Sequence, residues 1–503
     1  MATRTRNAKL NMLSSFGAQI ITMICGFVIP RLLIKTYGSE VYGATTSIAN
    51  FLAYISLIEG GVAGVARAAL YKPLAEKKYD SISLIYAEVK GFFNVIGVLF
   101  LFYTAIVASV YNYIAKNSSF EWVFTFFLVI AISISTLGQY FFGISNSVLI
   151  QADQKLYINN LLNVFTVLTN TVLIIILTGL NCNIIIVKLI SSIIFLVRPI
   201  YLSIYVKCHY PINTGLKYNA KHSSSISQKW TALGQHIAYF LHSNTDIAVL
   251  TIFSELKTVA VYSVYNMIVL GLRSLCSSFY NGLESVLGDL YATKEYTKLH
   301  KIFGYYETLI SVASVSLFSC ASVMIIPFIR IYTKGINDTN YIIPQFGFIL
   351  LLAELVYTLR IPYHYMINAS SSFKQTKIAS YGEAGINIIM SILLVFKYKI
   401  IGVAIATLVA TLFRGVYYAV FLSKHVMQRG IRLFIKRMII NTILFLSISM
   451  IGSLLNTHLE INSYLKWVQY GTIMFLLSAL ITIIFNYLFY SENMKEIFKR
   501  IIK

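Results

Sequence analysis

The sequence is a succession of long apolar runs broken by short polar segments, a pattern that few chains can fold in water. A bilayer core about 30 Å thick takes roughly 20 apolar residues per helical crossing. Fourteen such runs can be marked, at 10–33, 41–66, 91–112, 122–146, 158–179, 183–206, 231–253, 259–283, 304–327, 342–366, 378–396, 400–423, 438–455 and 467–490. Composition agrees, with 57% hydrophobic and 12% charged residues, against roughly 25% charged in soluble domains. The expected fold is therefore all-α and polytopic, with about fourteen transmembrane helices. Seven prolines and the lack of a long Ser, Pro or Gly tract leave no linker or separate soluble domain in the pattern. The first run follows Arg4, Arg6 and Lys9 as a signal peptide would. It exceeds an h-region of roughly 7–15 residues and is read as a retained helix.

A net charge of +22 raises the question of nucleic acid, but the basic residues are spread through short loops rather than gathered on one segment. Membrane topology accounts for them better. With the N-terminus in the cytoplasm, 27 of the 41 Lys and Arg fall on cytoplasmic segments, 9 on outer segments when Arg31 at the outer end of the first span is counted with them, and 5 inside the other spans. That bias fixes the expected orientation and returns the C-terminal SENMKEIFKRIIK to the cytoplasm. The five cysteines share no CxxC spacing and are read as packing residues, so neither a metal nor any other cofactor is expected.

The second half repeats the first. A shift of 216 aligns Leu196-Val197-Arg198-Pro199-Ile200-Tyr201 with Leu412-Phe413-Arg414-Gly415-Val416-Tyr417, and His209 with His425. A shift of 217 aligns Ile150-Gln151-Ala152-Asp153 with Ile367-Asn368-Ala369-Ser370, and one of 218 aligns Glu40-Val41 with Thr258-Val259. The expected division is a six-helix lobe over 1–206, a cytoplasmic loop over 207–230, a second six-helix lobe over 231–423, and two further helices with a cytoplasmic tail over 424–503. Parallel repeats of this kind are a transporter architecture, because two lobes can rock around a site.

Polar residues inside the spans mark the faces turned from lipid, since a charge facing hydrocarbon costs several kcal/mol. In the seventh span Gln235, Tyr239, His242 and Asp246 recur at helical spacing, and in the eighth Tyr262, Asn266, Arg273, Ser277, Tyr280 and Glu284 do the same. The first two spans carry a milder version in Asn11, Ser15, Gln19, Thr22 and Gly26, then Thr46, Asn50 and Glu59. The expectation is a cavity lined by spans one, two, seven and eight. Arg31, Arg67 and Arg273 are candidates to hold a diphosphate, because a guanidinium gives bidentate, charge-assisted hydrogen bonds and keeps its proton. Tyr239, Tyr262 and Asn266 are candidates for sugar contacts. The plainer reading of Arg31 and Arg67 is that they snorkel to headgroups. Asp246 with His242, and Glu59, are candidates for ion or proton coupling, with a simple interhelical hydrogen bond as the alternative for the first pair. Lys188, Arg198, Glu354, Arg360, Glu383 and Arg414 are expected to pair between helices as structural charges. The chain has no HExxH or GxxxxGK[ST] pattern to suggest a hydrolase or ATPase, and it is not read as an enzyme.

The run Ile29-Pro30-Arg31, then Tyr37-Gly38-Ser39-Glu40-Val41-Tyr42-Gly43, then Glu59-Gly60-Gly61-Val62 before a basic loop, resembles the bacterial polysaccharide flippases. These belong to the multidrug/oligosaccharidyl-lipid/polysaccharide superfamily. The resemblance covers the whole chain in layout and the first ninety residues in words. It implies fourteen helices in two six-helix lobes plus two, set in the bacterial cytoplasmic membrane. It also implies transport of undecaprenyl-diphosphate-linked oligosaccharides to the outer leaflet by alternating access, for O-antigen, lipopolysaccharide or capsule, with a glycan polymerase and other assembly proteins as further partners. By position, the basic role carries over to Arg31 and Arg273, with Arg67 behind them. Two alternatives compete. A cation-coupled drug exporter of the same superfamily typically has twelve helices and a less basic cavity. A membrane glycan polymerase or ligase usually carries a large outer loop, and no such loop is marked here.

Overall fold

The computed structural model describes residues 2–59, 61–115, 119–213, 240–241, 244–277, 279–280, 282–456 and 461–502. Helices are the regular structure of these residues, and no strand is formed among them. In chain order they are α1 (Ala2–Ala53), α2 (Val62–Glu76), α3 (Tyr79–Ile114), α4 (Trp122–Gly138), α5 (Ile144–Ala152), α6 (Leu156–Gly179), α7 (Ile184–His209) and α8 (Asn244–Phe253). There follow α9 (Leu256–Ser277), α10 (Leu283–Ala292), α11 (Tyr296–Tyr332), α12 (Pro344–Leu359), α13 (Ile361–Ala369), α14 (Phe373–His425), α15 (Arg432–Asn456), α16 (Tyr464–Phe489) and α17 (Ser491–Ile502). Helices dominate because hydrocarbon offers no partner for backbone N–H and C=O groups, and a helix satisfies them internally.

Among the described residues, eleven helices are long and apolar enough to cross a membrane. Two of them, Arg6–Ile58 and Phe373–His425, run for 53 residues. Each contains one non-helical residue, Gly38 (φ 87°) in the first and Lys399 (φ 49°) in the second, and so covers two of the expected spans. The expected seventh span falls largely outside the described residues, which retain α8 from its end. The second and eighth spans differ from expectation in being broken. The second passes through a 3₁₀ turn at Tyr54–Ile58 and restarts as α2 after Gly61, whose φ of 76° an L side chain rarely adopts. The eighth ends at Ser277 and restarts as α10 after Gly282, with a φ of 84°.

The described residues form two compact units, one of Met1–Phe240 with Ser254–Ala260 and the other of Leu241–Phe253 with Val261–Lys503. In the first, α1 packs on α6, α4 on α7, and α2 on α5 around a core containing Phe93, Phe100 and Tyr111. A Cβ on Gly43 of α1 would fall 1.9 Å from the Leu256 carbonyl oxygen, so glycine is what lets the two backbones touch. In the second unit α11 packs on α12, α15 and α16, and α12 on α14, with Tyr265, Phe303, Phe318, Phe346 and Tyr418 buried. Large apolar side chains such as Phe102, Phe396 and Leu488 lie on the outside, as a lipid environment requires.

Backbone features keep the 217-residue register read in the sequence. Helices α3 and α11 begin at Tyr79 and Tyr296, helices α5 and α13 span Ile144–Ala152 and Ile361–Ala369, and helices α6 and α14 begin at Leu156 and Phe373. Positive φ recurs at Lys77 and Lys294, and at Gln154 and Ser371.

Candidate functional site

In the second unit the intramembrane charges meet along one connected path. Arg273 of α9 donates from Nε to Glu354 Oε1 and from Nη2 to Glu354 Oε2 at 2.6 Å, a two-pronged pair with α12. The Arg273 guanidinium lies 4.2 Å from the centre of the Tyr357 ring, and the Arg360 guanidinium lies 4.6 Å from the same ring. Arg360 pairs with Glu383 of α14, and Arg414, one helix segment further along α14, pairs with the other oxygen of Glu383. Arg414 also donates from Nε to Tyr418 Oη at 2.8 Å, and His364 stacks on the Tyr418 ring. Glu354, Tyr357 and Arg360 meet this path because residues three apart share a helix face.

The expected structural charges Glu354, Arg360, Glu383 and Arg414 are thus paired, but Glu354 takes as its partner Arg273, a candidate substrate residue. Exposure separates the members. The Arg360, Arg414 and Glu383 side chains are 6%, 5% and 0% exposed, whereas Arg273 is 22% exposed and Glu354 8%. Arg360 and Arg414 are therefore fixed in the interior, and the Arg273 side chain is the more exposed one.

Asp246 of α8 is buried among hydroxyls. It accepts hydrogen bonds from Tyr262 Oη at 2.8 Å and Thr407 Oγ1 at 3.0 Å. Thr407 also approaches the Val403 carbonyl at 3.1 Å and accepts from Asn387 Nδ2 at 3.0 Å. This oxygen-rich setting suits a proton or a small hard cation held by the carboxylate. It also places Tyr262 on Asp246 rather than leaving its hydroxyl for a sugar. Asn266 is half-buried on the same helix. Tyr239, His242 and Gln235 lie outside the described residues.

In the first unit the candidates stand apart. Arg67 of α2 donates to Gln151 Oε1 of α5 at 2.7 Å, so it is tied to protein rather than extended to headgroups. Glu59, at the break before α2, accepts a 2.6 Å hydrogen bond from Tyr140, which sits in a π-turn over Gln139–Gly143 between α4 and α5. Arg31 is half-buried next to Pro30 in α1. Arg198 reaches Asn163 Oδ1 at 3.4 Å. Lys188, expected to pair between helices, makes no hydrogen bond or ion pair among the described residues. It sits one turn from the start of α7.

Two features leave little trace in the sequence. Tyr357, beneath two guanidiniums, was signalled only by its spacing of three from both Glu354 and Arg360. Glu307 is a buried carboxylate at the edge of an apolar run. It accepts from Tyr363 and pairs with Arg429 at 2.6 Å and Arg437 at 3.5 Å. At the surface end of α7, Tyr210 donates to Asp153 Oδ2 at 2.6 Å, and burial followed by that carboxylate pushes its phenol well up from the usual range.

No family model matches the sequence, and no curated protein matches it. Solved structures do. The chain is similar to the lipid II flippase MurJ in an inward closed conformation, at 16% identity over 96% of this chain and 99% of that one, with a TM-score of 0.68. It is also similar to an inward-facing multidrug resistance MATE family transporter of the MOP superfamily, at 13% identity over 80% and 94% of the two chains, with a TM-score of 0.58. The MATE multidrug transporter DinF-BH in complex with R6G matches at 16% identity over 83% and 95%, with a TM-score of 0.57. The chain therefore has the polytopic helical membrane fold of these transporters.

Proposed function

We propose that the protein is a flippase carrying undecaprenyl-diphosphate-linked oligosaccharide units from the cytoplasmic to the outer leaflet of a bacterial cytoplasmic membrane. It works by alternating access, with both termini in the cytoplasm, and it serves surface polysaccharide assembly alongside a glycan polymerase. The observation that carries this reading is Arg273. It is a partly exposed arginine side chain in a membrane-spanning helix, its guanidinium backed by an aromatic ring and already holding two oxygens of one anion. Two phosphate oxygens of a diphosphate present the same geometry. Arg31 and Arg67 extend the basic character into the first unit, and the likeness to a lipid II flippase over nearly the whole chain supports a lipid-linked cargo.

Coupling is assigned to Asp246, with Tyr262, Thr407 and Asn387 shaping the site for a proton or small cation. Glu59, with its Tyr140 hydrogen bond, is a second coupling candidate.

Deletion of the gene tests the reading. The expected result is loss of surface polysaccharide with lipid-linked units accumulating on the inner leaflet. Normal surface glycan, in a strain without a redundant transporter, rejects it. The fold shared with MATE transporters and the buried Asp246 favour a cation-coupled exporter as the second reading. That reading instead predicts intact glycan and greater sensitivity to cationic compounds in the deletion strain.

A further inference from the structure

An arginine side chain exposed inside a membrane faces a problem of abundance. Bilayers contain anionic phosphodiester headgroups in great excess over any lipid-linked sugar, and a bare arginine would be occupied by them. In this protein the Arg273 fork is already filled by Glu354, through both Nε and Nη2. The pair differs from the neighbouring ones in two ways. Glu383 is shared by Arg360 and Arg414, and all three side chains are at most 6% exposed, so nothing from outside can reach that triad. Glu354 has Arg273 as its one ion-pair partner among the described residues, and Arg273 is 22% exposed.

We propose that Glu354 is the specificity-determining residue of the anion site, an internal competitor that yields Arg273 to a lipid diphosphate and withholds it from singly charged phosphodiesters. The inference rests on the flippase reading above. A phosphodiester offers one charge and two oxygens, no more than the carboxylate it would replace. Glu354 is tethered one helix away, so its effective concentration exceeds that of a free lipid. Displacing it also leaves a carboxylate at 8% exposure without its cation, a cost that sets a threshold. A diphosphate carries more charge and more oxygens than the carboxylate, and passes that threshold. Tyr357 holds the guanidinium plane from below during the exchange, and Arg360 stays with Glu383.

The test uses full-length protein in nanodiscs of zwitterionic lipid. It measures binding of farnesyl diphosphate and of phosphatidylglycerol to the wild type, Glu354→Gln, Glu354→Asp and Arg273→Ala. The wild type is expected to prefer the diphosphate by about tenfold or more. Glu354→Gln should bind phosphatidylglycerol about tenfold more tightly than the wild type does, collapsing the preference. Glu354→Asp should keep most of it, and Arg273→Ala should lose the diphosphate. An unchanged preference in Glu354→Gln overturns the role of Glu354 while leaving the flippase reading intact. Diphosphate binding that is absent from the wild type removes the flippase reading and this inference together. Should Glu354→Gln fail to fold, the wild-type ratio decides, and equal binding of the two lipids overturns the proposal.

Discussion

At positions 217 residues apart, the two units place different chemistry on closely similar helices. Tyr140 in the first donates its hydroxyl to Glu59, whereas Tyr357 in the second lies beneath two guanidiniums. Thr166 in the first turns its hydroxyl back to the Leu162 carbonyl of its own helix, whereas Glu383 in the second gathers Arg360 and Arg414. The arginines related by the 216 shift diverge likewise. Arg198 meets an amide at 3.4 Å, and Arg414 meets a carboxylate and a tyrosine. Arg67 and Glu284, again 217 apart, carry opposite charge, yet each bonds a helix amide, Gln151 for the first and Asn368 for the second. The backbone register is common to both units. The charged network is built in one of them, so scaffold and chemistry vary separately.

Substitutions at matched positions test this contrast. The largest effect is expected from Glu383→Gln, which strands two buried arginines and should cost about 3–5 kcal/mol. Thermal melting of the purified protein checks it, and Thr166→Val at the matching position should cost about 1 kcal/mol or less. Next is Gly43→Ala, whose Cβ cannot fit against Leu256 without moving a helix and should cost about 1–3 kcal/mol. Ala260, 217 residues on, already carries a Cβ, so Ala260→Gly should change melting far less. Arg198→Leu should be milder than Arg414→Leu, because losing a long bond to an amide leaves no buried charge behind. Comparable losses for the two would show that the networks are equivalent after all. Tyr140→Phe, which removes one hydrogen bond, should cost about 1 kcal/mol in melting.

The fold was largely legible because bilayer thickness imposes a length and hydrocarbon imposes a composition on every crossing. The repeat was legible from short words such as Ile150-Gln151-Ala152-Asp153, because helix ends need particular residues in both units. The breaks at Gly61 and Gly282 were hidden, since an apolar run looks the same whether its helix is continuous or restarts after a left-handed glycine. Within the site, periodicity located Asp246, Tyr262 and Arg273 by the face they share along their helices. It could not say which helix they meet, and so did not foresee that Glu354 would hold Arg273 or that Thr407 and Asn387 would complete the surroundings of Asp246. Pairing between distant helices leaves no trace in local spacing.

On the flippase reading, Arg273 carries the headgroup of a lipid-linked diphosphate across the membrane. The most direct measurement reconstitutes the purified protein in liposomes with a polyprenyl-diphosphate-linked oligosaccharide and follows its arrival in the opposite leaflet. Transport is expected from the wild type, none from Arg273→Ala at equal incorporation, and partial transport from Arg273→Lys. Transport by Arg273→Ala at the wild-type rate, or none by the wild type, would contradict it.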